Sequence, residues 1–445
     1  MKPIKKVFVA LLTGLTVLWL LADTFAPQPF GYFPLRRVLV QYTGVIAIGV
    51  MSFAMVLAAR PKAIEPPLGG LDKTYRLHKW LGIAALVFGI VHWIWAKGTK
   101  WAVGWGWLTR PARGGGSAQT LGTLEQLLRS QRRVAEFLGE WTFYAAVVLI
   151  VLALIKRFPY RLFAKTHIIL AALYLVLVFH TVVLLDFRYW IQPIGIVMAI
   201  MVTAGIAASV TILLKRVGAD HKVTGRIESL IQYPELRALE INIAVDDGWP
   251  GHRPGQFAFL TTDHREGAHP YTIASAWDSQ ERRLTVFAKA LGDHTSELPE
   301  RLNIGDPIMV EGPYGCFTFT DRGTRQIWIG GGIGITPFIA RMKHLAQTRD
   351  RQHVIDLFHP TADFSQPAID NLCADAKAAG VQLHLLVDAK DGLLSGERLR
   401  SAVPDWREAS IWFCGPVGLG RALRQDLKAH GLNPRNFHQE LFQMR

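Results

Sequence analysis

The stretch RLHKWLGIAALVFGIVHW, Arg76 to Trp93, decides the fold. The residues between its two histidines are apolar enough for the interior of a bilayer. Yet an imidazole stands at each end, His78 and His92. Polar groups are costly in lipid, so those that persist there tend to face a protein interior and carry function.

Hydrophobic residues make up 50% of the 445-residue chain, and they are unevenly spread. Six apolar runs approach the roughly 17–25 residues that a hydrocarbon core of about 30 Å requires. They predict spans at Val7–Ala22, Val38–Ala59, Leu77–Ala96, Trp141–Ile155, Leu162–Leu185 and Ile191–Leu214. The basic, apolar N-terminus resembles a secretory signal. Its run is long, however, and no small-residue cleavage site follows cleanly, so it reads as the first span. After Lys215 the pattern changes to short alternating stretches broken by Gly, Pro and Asp, the mark of a soluble half. All three cysteines, Cys316, Cys373 and Cys414, lie there without CxxC spacing. That speaks against a disulfide framework, a zinc site or a cysteine-held cluster, and suits a reducing compartment. The net charge of +14 is assigned to lipid-facing loops rather than to nucleic acid.

Six spans place both termini on one side, expected to be the cytoplasmic face of the cell (inner) membrane. The basic loop 97–139 runs against the positive-inside rule. Its segment TLEQLLRSQRRVAEFL has helical apolar spacing and is expected to lie flat on the membrane.

The fifth span, in AKTHIILAALYLVLVFHTVV, carries His167 and His180. At 1.5 Å per residue, His78 and His92 are about 21 Å apart and His167 and His180 about 20 Å. Both helices run the same way, so His78 matches His167 in one layer and His92 matches His180 in the other. Two layers of two imidazoles suit two stacked b-type haems with four axial histidine ligands to iron. A thirteen-residue spacing leaves His180 about 140° from His167 on a regular helix. Either the fifth helix is distorted, or its imidazoles approach from different directions. Arg36 and Arg37 lie near the far face, as anion attractors or as interfacial anchors.

In the soluble half, TGRIESLIQY, RALEINIAV, GQFAFLTT, RLTVFAKA and DPIMVEGPYG predict an antiparallel β-barrel. From Arg325 onward, strands RQIWIGG, HVIDLFH, VQLHLLVD and ASIWFCG alternate with helices, predicting an open parallel α/β sheet of Rossmann-like type. The first of these strands enters GGGIGITPFIARM. Its glycines allow close approach to a phosphate, with Thr336 as N-cap and Pro337 as first helical residue. The expected fold is therefore multi-domain: an all-α six-helix transmembrane bundle at 1–216, an antiparallel β-barrel at 217–322 and a Rossmann-like α/β domain at 323–445.

HPYTIAS (His269–Ser275), GPYG (Gly312–Gly315), GGIGITP (Gly331–Pro337) and CGP (Cys414–Pro416) occur in an order that resembles ferredoxin-NADP reductase type flavin dehydrogenases. Joined to the histidine-bearing spans, the whole chain resembles bacterial members of the NADPH oxidase and ferric reductase superfamily. The resemblance implies FAD, two haem b and NADPH, with NADH also possible. It places His269, Pro270, Tyr271, Thr272, Ser275, Thr295 and Gly312 at the flavin, with Tyr271 against the ring and Thr272 near its reactive nitrogen. Gly331, Gly332, Gly334, Thr336 and Pro337 would line the nicotinamide dinucleotide, and Cys414, Gly415 and Pro416 border the nicotinamide. Phe442 would cover the flavin. Thr272, Cys414 and Phe442 would thus stand nearest the chemistry. The alternatives are a barrel-core Tyr271, a buried small Cys414 and a packing Phe442. His269 stands where relatives often carry an Arg for the pyrophosphate, and His359 where an Arg for a 2′-phosphate is expected.

The implied activity runs from NADPH to FAD to two haems to an acceptor across the membrane, oxygen giving superoxide. A ferric or cupric metalloreductase shares every one of these residues. A haem-bearing electron-transfer subunit serving a partner protein is a third reading. No DxDxDG loop is present, so built-in calcium control is not expected.

Overall fold

The computed structural model describes all residues except 1, 110–121, 156, 264–265, 322, 350–351 and 441–445. The chain divides into two compact units, which part between Val217 and Gly218.

Among the described residues of the first unit, six helices are long and apolar enough to cross a membrane. They are Lys2–Leu20, Tyr32–Ala58, Leu71–Gly104, Arg132–Leu154, a fifth span over Leu162–Leu184, and Pro193–Leu213. The third has 34 residues, so it runs about 51 Å and outreaches the hydrocarbon core unless tilted. The sixth opens on Pro193, whose missing N–H costs nothing in a first turn. Trp19, Ile46, Val50, Leu77, Leu81 and Met198 fill the bundle core. Outward-facing Ile200 is 65% exposed and Val148 57% exposed, surface that only lipid can cover. This is a membrane protein.

The fifth span is not one helix. It comprises Tyr160–His167 and Ile169–Leu184, interrupted at Ile168. There a tight Ala171 N–H to Ile168 carbonyl bond of 3.1 Å replaces the regular ladder. A 3-10 step turns about 120° where a regular step turns about 100°, so this interruption takes up only about 20° of the roughly 140° offset. The rest falls to the second expectation, imidazoles that approach from different directions.

The segment expected to lie flat is divided instead. Thr123–Ser130 forms a short helix, and Arg132 already begins the fourth span. Ala135 is fully buried, so the part from Arg132 onward serves the bundle, whereas the short helix keeps Leu124 and Leu127 exposed.

The second unit holds two sheets. The first has six strands: β1 (Lys222–Tyr233), β2 (Ala238–Val245), β3 (Phe257–Thr261), β4 (His269–Thr272), β5 (Arg283–Lys289) and β6 (Pro307–Tyr314). Their order is β4-β3-β6-β1-β2-β5, all antiparallel. The sheet curls until its edges meet at one bridge, Ile273 to Val286. Alternate inward residues such as Leu239, Ile241 and Ile243 fill its core. The strand absent from the sequence reading is β4, which is the HPYT motif itself.

The second sheet is parallel: β7 (Arg325–Gly330), β8 (Val354–Thr361), β9 (Gln382–Val387), β10 (Ser410–Cys414) and β11 (Phe437–Gln439), in the order β11-β10-β7-β8-β9. The order reverses between β7 and β10, where open α/β sheets bind ligands beyond the strand ends. The edge strand β11 was not expected; three residues are too few to show a period.

Candidate functional site

The four membrane histidines meet in the two predicted pairs. The His78 and His167 ring centres lie 5.9 Å apart, and those of His92 and His180 lie 6.3 Å apart. A metal about 2 Å from each of two imidazole nitrogens, with each ring centre roughly 1 Å further back, sets the centres about 6 Å apart. Hydrogen bonds orient the rings. Nδ1–H donates to the Ala54 carbonyl from His78 (2.9 Å), to the Val40 carbonyl from His92 (3.0 Å), and to the Ala135 carbonyl from His180 (2.8 Å). A carbonyl only accepts, so each of these rings is left with its Nε2 lone pair, the form that binds iron. His167 Nδ1 is buried without a hydrogen-bond partner. Gly139 is required where it stands, since a Cβ there would collide with His180 Nδ1. The residues fit bis-imidazole ligation.

Between the layers, Tyr174 is 2% exposed and its hydroxyl meets Ser52 Oγ at 2.8 Å, tying the second span to the fifth. Near the His92–His180 layer, Arg36 donates to the Trp95 and Ala96 carbonyls, while Arg37 and Arg188 pair with Asp186. Their pairing holds the Asp186 carboxyl well below the usual carboxylate range despite its burial.

In the barrel, β4 presents His269, Pro270, Tyr271 and Thr272 along one edge. Tyr271 is 7% exposed and its buried hydroxyl has no partner. Burial raises its pKa. An orphaned phenol at this place fits a group that arrives with the flavin. Ser275 Oγ accepts the Thr285 N–H at 3.1 Å and meets His252 Nε2 at 3.2 Å. His252 thereby steadies the turn that follows Thr272, and burial lowers its pKa to about 4. The Thr295 hydroxyl takes the Leu291 and Gly292 N–H groups at the start of the helix Asp293–Arg301. Beside it His294 stacks on His269, with ring centres 4.0 Å apart and planes 12° apart. Glu266 comes close to both imidazoles. Near-parallel rings so stacked cannot aim two in-plane lone pairs at one ion, so this trio is no metal centre as built. Gly312 lies on β6 facing the β3 backbone.

At the switch point the two remaining motifs touch. The Gly331 N–H donates to the Cys414 carbonyl at 2.9 Å. Gly334 passes so close to the same carbonyl that any side chain would strike it. Gly332 has φ +53°, Gly415 has φ +155°, and Pro416 borders Gly331. Cys414 is wholly buried, and burial together with Glu440 pushes its thiol up. Thr336 is not an N-cap. Gly332–Ile335 is itself a 3-10 turn running straight into the helix Thr336–Thr348, and the Thr336 hydroxyl donates to the Ile333 carbonyl. Pro337 holds the first turn as expected. His359 is committed elsewhere than to a phosphate: it is 7% exposed, donating from Nδ1 to the Gly330 carbonyl at 2.7 Å. Phe442 lies outside the described residues.

Sequence reasoning missed His252, His294, Ser52, Tyr174 and Gly139. Only His252, inside the turn-rich PGHRPGQF, and His294, next to Thr295, left any signal.

Residues 43–178 match the family described as "Ferric reductase like transmembrane component". That stretch takes in His78, His92 and His167. For the reductase half, a flavohemoprotein of Pseudomonas putida is 29% identical over 211 residues, 44% of this chain and 53% of that one. A glycine betaine monooxygenase reductase subunit of Chromohalobacter salexigens is 27% identical, over 43% of this chain and 56% of that one. An NADPH oxidoreductase of Mycobacterium tuberculosis is 28% identical, over 45% and 54%. The chain spans about half the length of these relatives. Among solved structures, the FAD/NAD-binding domain of a nitric oxide dioxygenase from Vibrio cholerae is 18% identical with a TM-score of 0.42, covering 50% of this chain and 99% of that one.

Proposed function

We propose that the chain is a transmembrane oxidoreductase of the NAD(P)H oxidase and ferric reductase type. It draws electrons from a reduced nicotinamide nucleotide and delivers them across the cell (inner) membrane to oxygen, giving superoxide. The observation that carries this reading is the double imidazole pair, with ring centres 5.9 and 6.3 Å apart. Both termini are assigned to the cytoplasmic side, where the nucleotide is found.

When bound, FAD and two haem b supply the conversion of a two-electron donor into single-electron transfers. The chain's own residues hold and orient these groups. His78 with His167, and His92 with His180, would supply imidazole nitrogens to the two haems, each pair offering two ligands to its group. Tyr271 offers a buried hydroxyl to the flavin, Thr272 ends the same strand, and His252 fixes Ser275 behind it. The contact between Gly331 and Cys414 sets the floor on which the nicotinamide lies.

The test is optical. The purified protein, carrying haem and FAD, is mixed with NADH or NADPH without oxygen while the haem bands are followed. Reduction, then rapid reoxidation in air with dismutase-sensitive product, supports the oxidase reading. Slow reoxidation in air but immediate reoxidation by a ferric chelate makes the chain a metalloreductase. Haem bands that never reduce, or that survive His92→Ala unchanged, overturn the two-haem path.

A further inference from the structure

Nicotinamide nucleotides differ only in the 2′-phosphate of the adenosine ribose. In open α/β sheets that ribose is met at the end of the second strand: a carboxylate there takes the hydroxyls of NAD, and an Arg takes the phosphate of NADP. Here the second strand is β8, beside β7.

The segment leaving β8 reads Thr361, Ala362, Asp363, Phe364, Ser365, Gln366, without a cation. His359, the basic residue nearest it on the strand, is buried and commits its Nδ1–H to the Gly330 carbonyl. Burial lowers its pKa, so it is neutral. Lys289 reaches the segment from β5, but its ammonium is tied to Asp363 Oδ2 at 2.6 Å, and both side chains are largely covered, at 17% and 32% exposed. The Ser365 hydroxyl donates to a second carboxylate, Glu235 Oε2, at 3.2 Å. The turn after β9 carries Asp388, Lys390 and Asp391, and Arg398 donates to the Asp391 carbonyl.

We propose that Asp363 makes this reductase select NADH over NADPH. The inference rests on the nucleotide site of the proposed function and sharpens it. One carboxylate oxygen of Asp363 holds Lys289, and the other accepts the ribose hydroxyls. A 2′-phosphate brings close to two negative charges against that carboxylate and the neighbouring Glu235. The segment leaving β8 offers it no Arg fork in return.

The full-length, FAD-loaded protein in detergent is titrated calorimetrically with 5′-AMP and with 2′,5′-ADP, which differ only in the phosphate. Anaerobic flavin reduction by NADH and NADPH is followed in parallel. Wild type should bind 5′-AMP more tightly than 2′,5′-ADP, and NADH should reduce the flavin with a kcat/KM about tenfold or more above NADPH, the scale of one misplaced charged contact. Asp363→Asn should free Lys289, admit 2′,5′-ADP and raise the NADPH rate, while NADH loses a few-fold. Tighter binding of 2′,5′-ADP by wild type, or no change in preference in Asp363→Asn, overturns the role of Asp363 and leaves the nucleotide site standing. If neither ligand binds and neither nucleotide reduces the flavin, the nucleotide site itself is wrong and the preference falls with it.

Discussion

A single missing Cβ shows how tightly the histidines are placed. Because a side chain at Gly139 would strike His180 Nδ1, Gly139→Ala is expected to displace that imidazole and spare the His78–His167 pair. Haem content by pyridine haemochrome should fall by about half, the share of one of two sites. Undiminished haem would show that His180 can move without loss. His252 gives a pH prediction. Its folded pKa is about 4 against an ordinary 6.5. Between these values the unfolded chain binds the extra proton, so stability is whole above about pH 6.5 and drains away as pH falls toward about 4. His269, also lowered to about 4, adds in the same direction. Flavin release on heating should therefore come earlier at pH 5 than at pH 7, and His252→Asn should flatten part of that difference. The four membrane histidines were legible because imidazoles stand out in an apolar background. Their acceptors at Ala54, Val40 and Ala135 were not, since every residue carries a carbonyl.

At the scale of the element, the break at Ile168 takes up only a small part of the angular mismatch that the spacing of thirteen announced. An alanine inserted after Ile169 would turn His180 by about 100°. That variant is expected to keep its helices and lose the His92–His180 haem; retention of both haems would show that the interruption absorbs rotation freely. Thr336 teaches the opposite lesson. The glycine turn, the Pro and the Thr pointed to a helix start, and a helix starts there. The cap failed because the turn is already helical in the tighter 3-10 sense, so the extended residue ahead of it is Gly331, which has no side chain to cap with. The segment after Gly122 was misread in its second part. Its apolar spacing is real, but Gln131 divides it, and the second part is claimed by the bundle.

Across the whole molecule, the change of pattern near Lys215 lies close to the division after Val217. Cutting there should yield a reductase half, residues 218–445, that binds flavin, reduces ferricyanide with a nicotinamide nucleotide and contains no haem. Failure of that half to hold flavin would mean that its fold depends on the membrane half. Within the reductase half the sequence is a poorer guide to boundaries. Phe317 and Phe319 precede the first parallel strand, yet they pack in one aromatic core with Trp328, Phe338 and Trp412. Periodicity marks strands; it does not tell which core an irregular segment joins. The imidazole pairs also constrain how the protein is made. His78 and His167 are 89 residues apart (167 − 78), and His92 and His180 are 88 apart (180 − 92). Neither pair can close until the ribosome has delivered the fifth span. The third span must therefore wait in the insertion machinery or the bilayer with bare imidazoles, and any iron the pairs took up would arrive late, stapling helices already threaded.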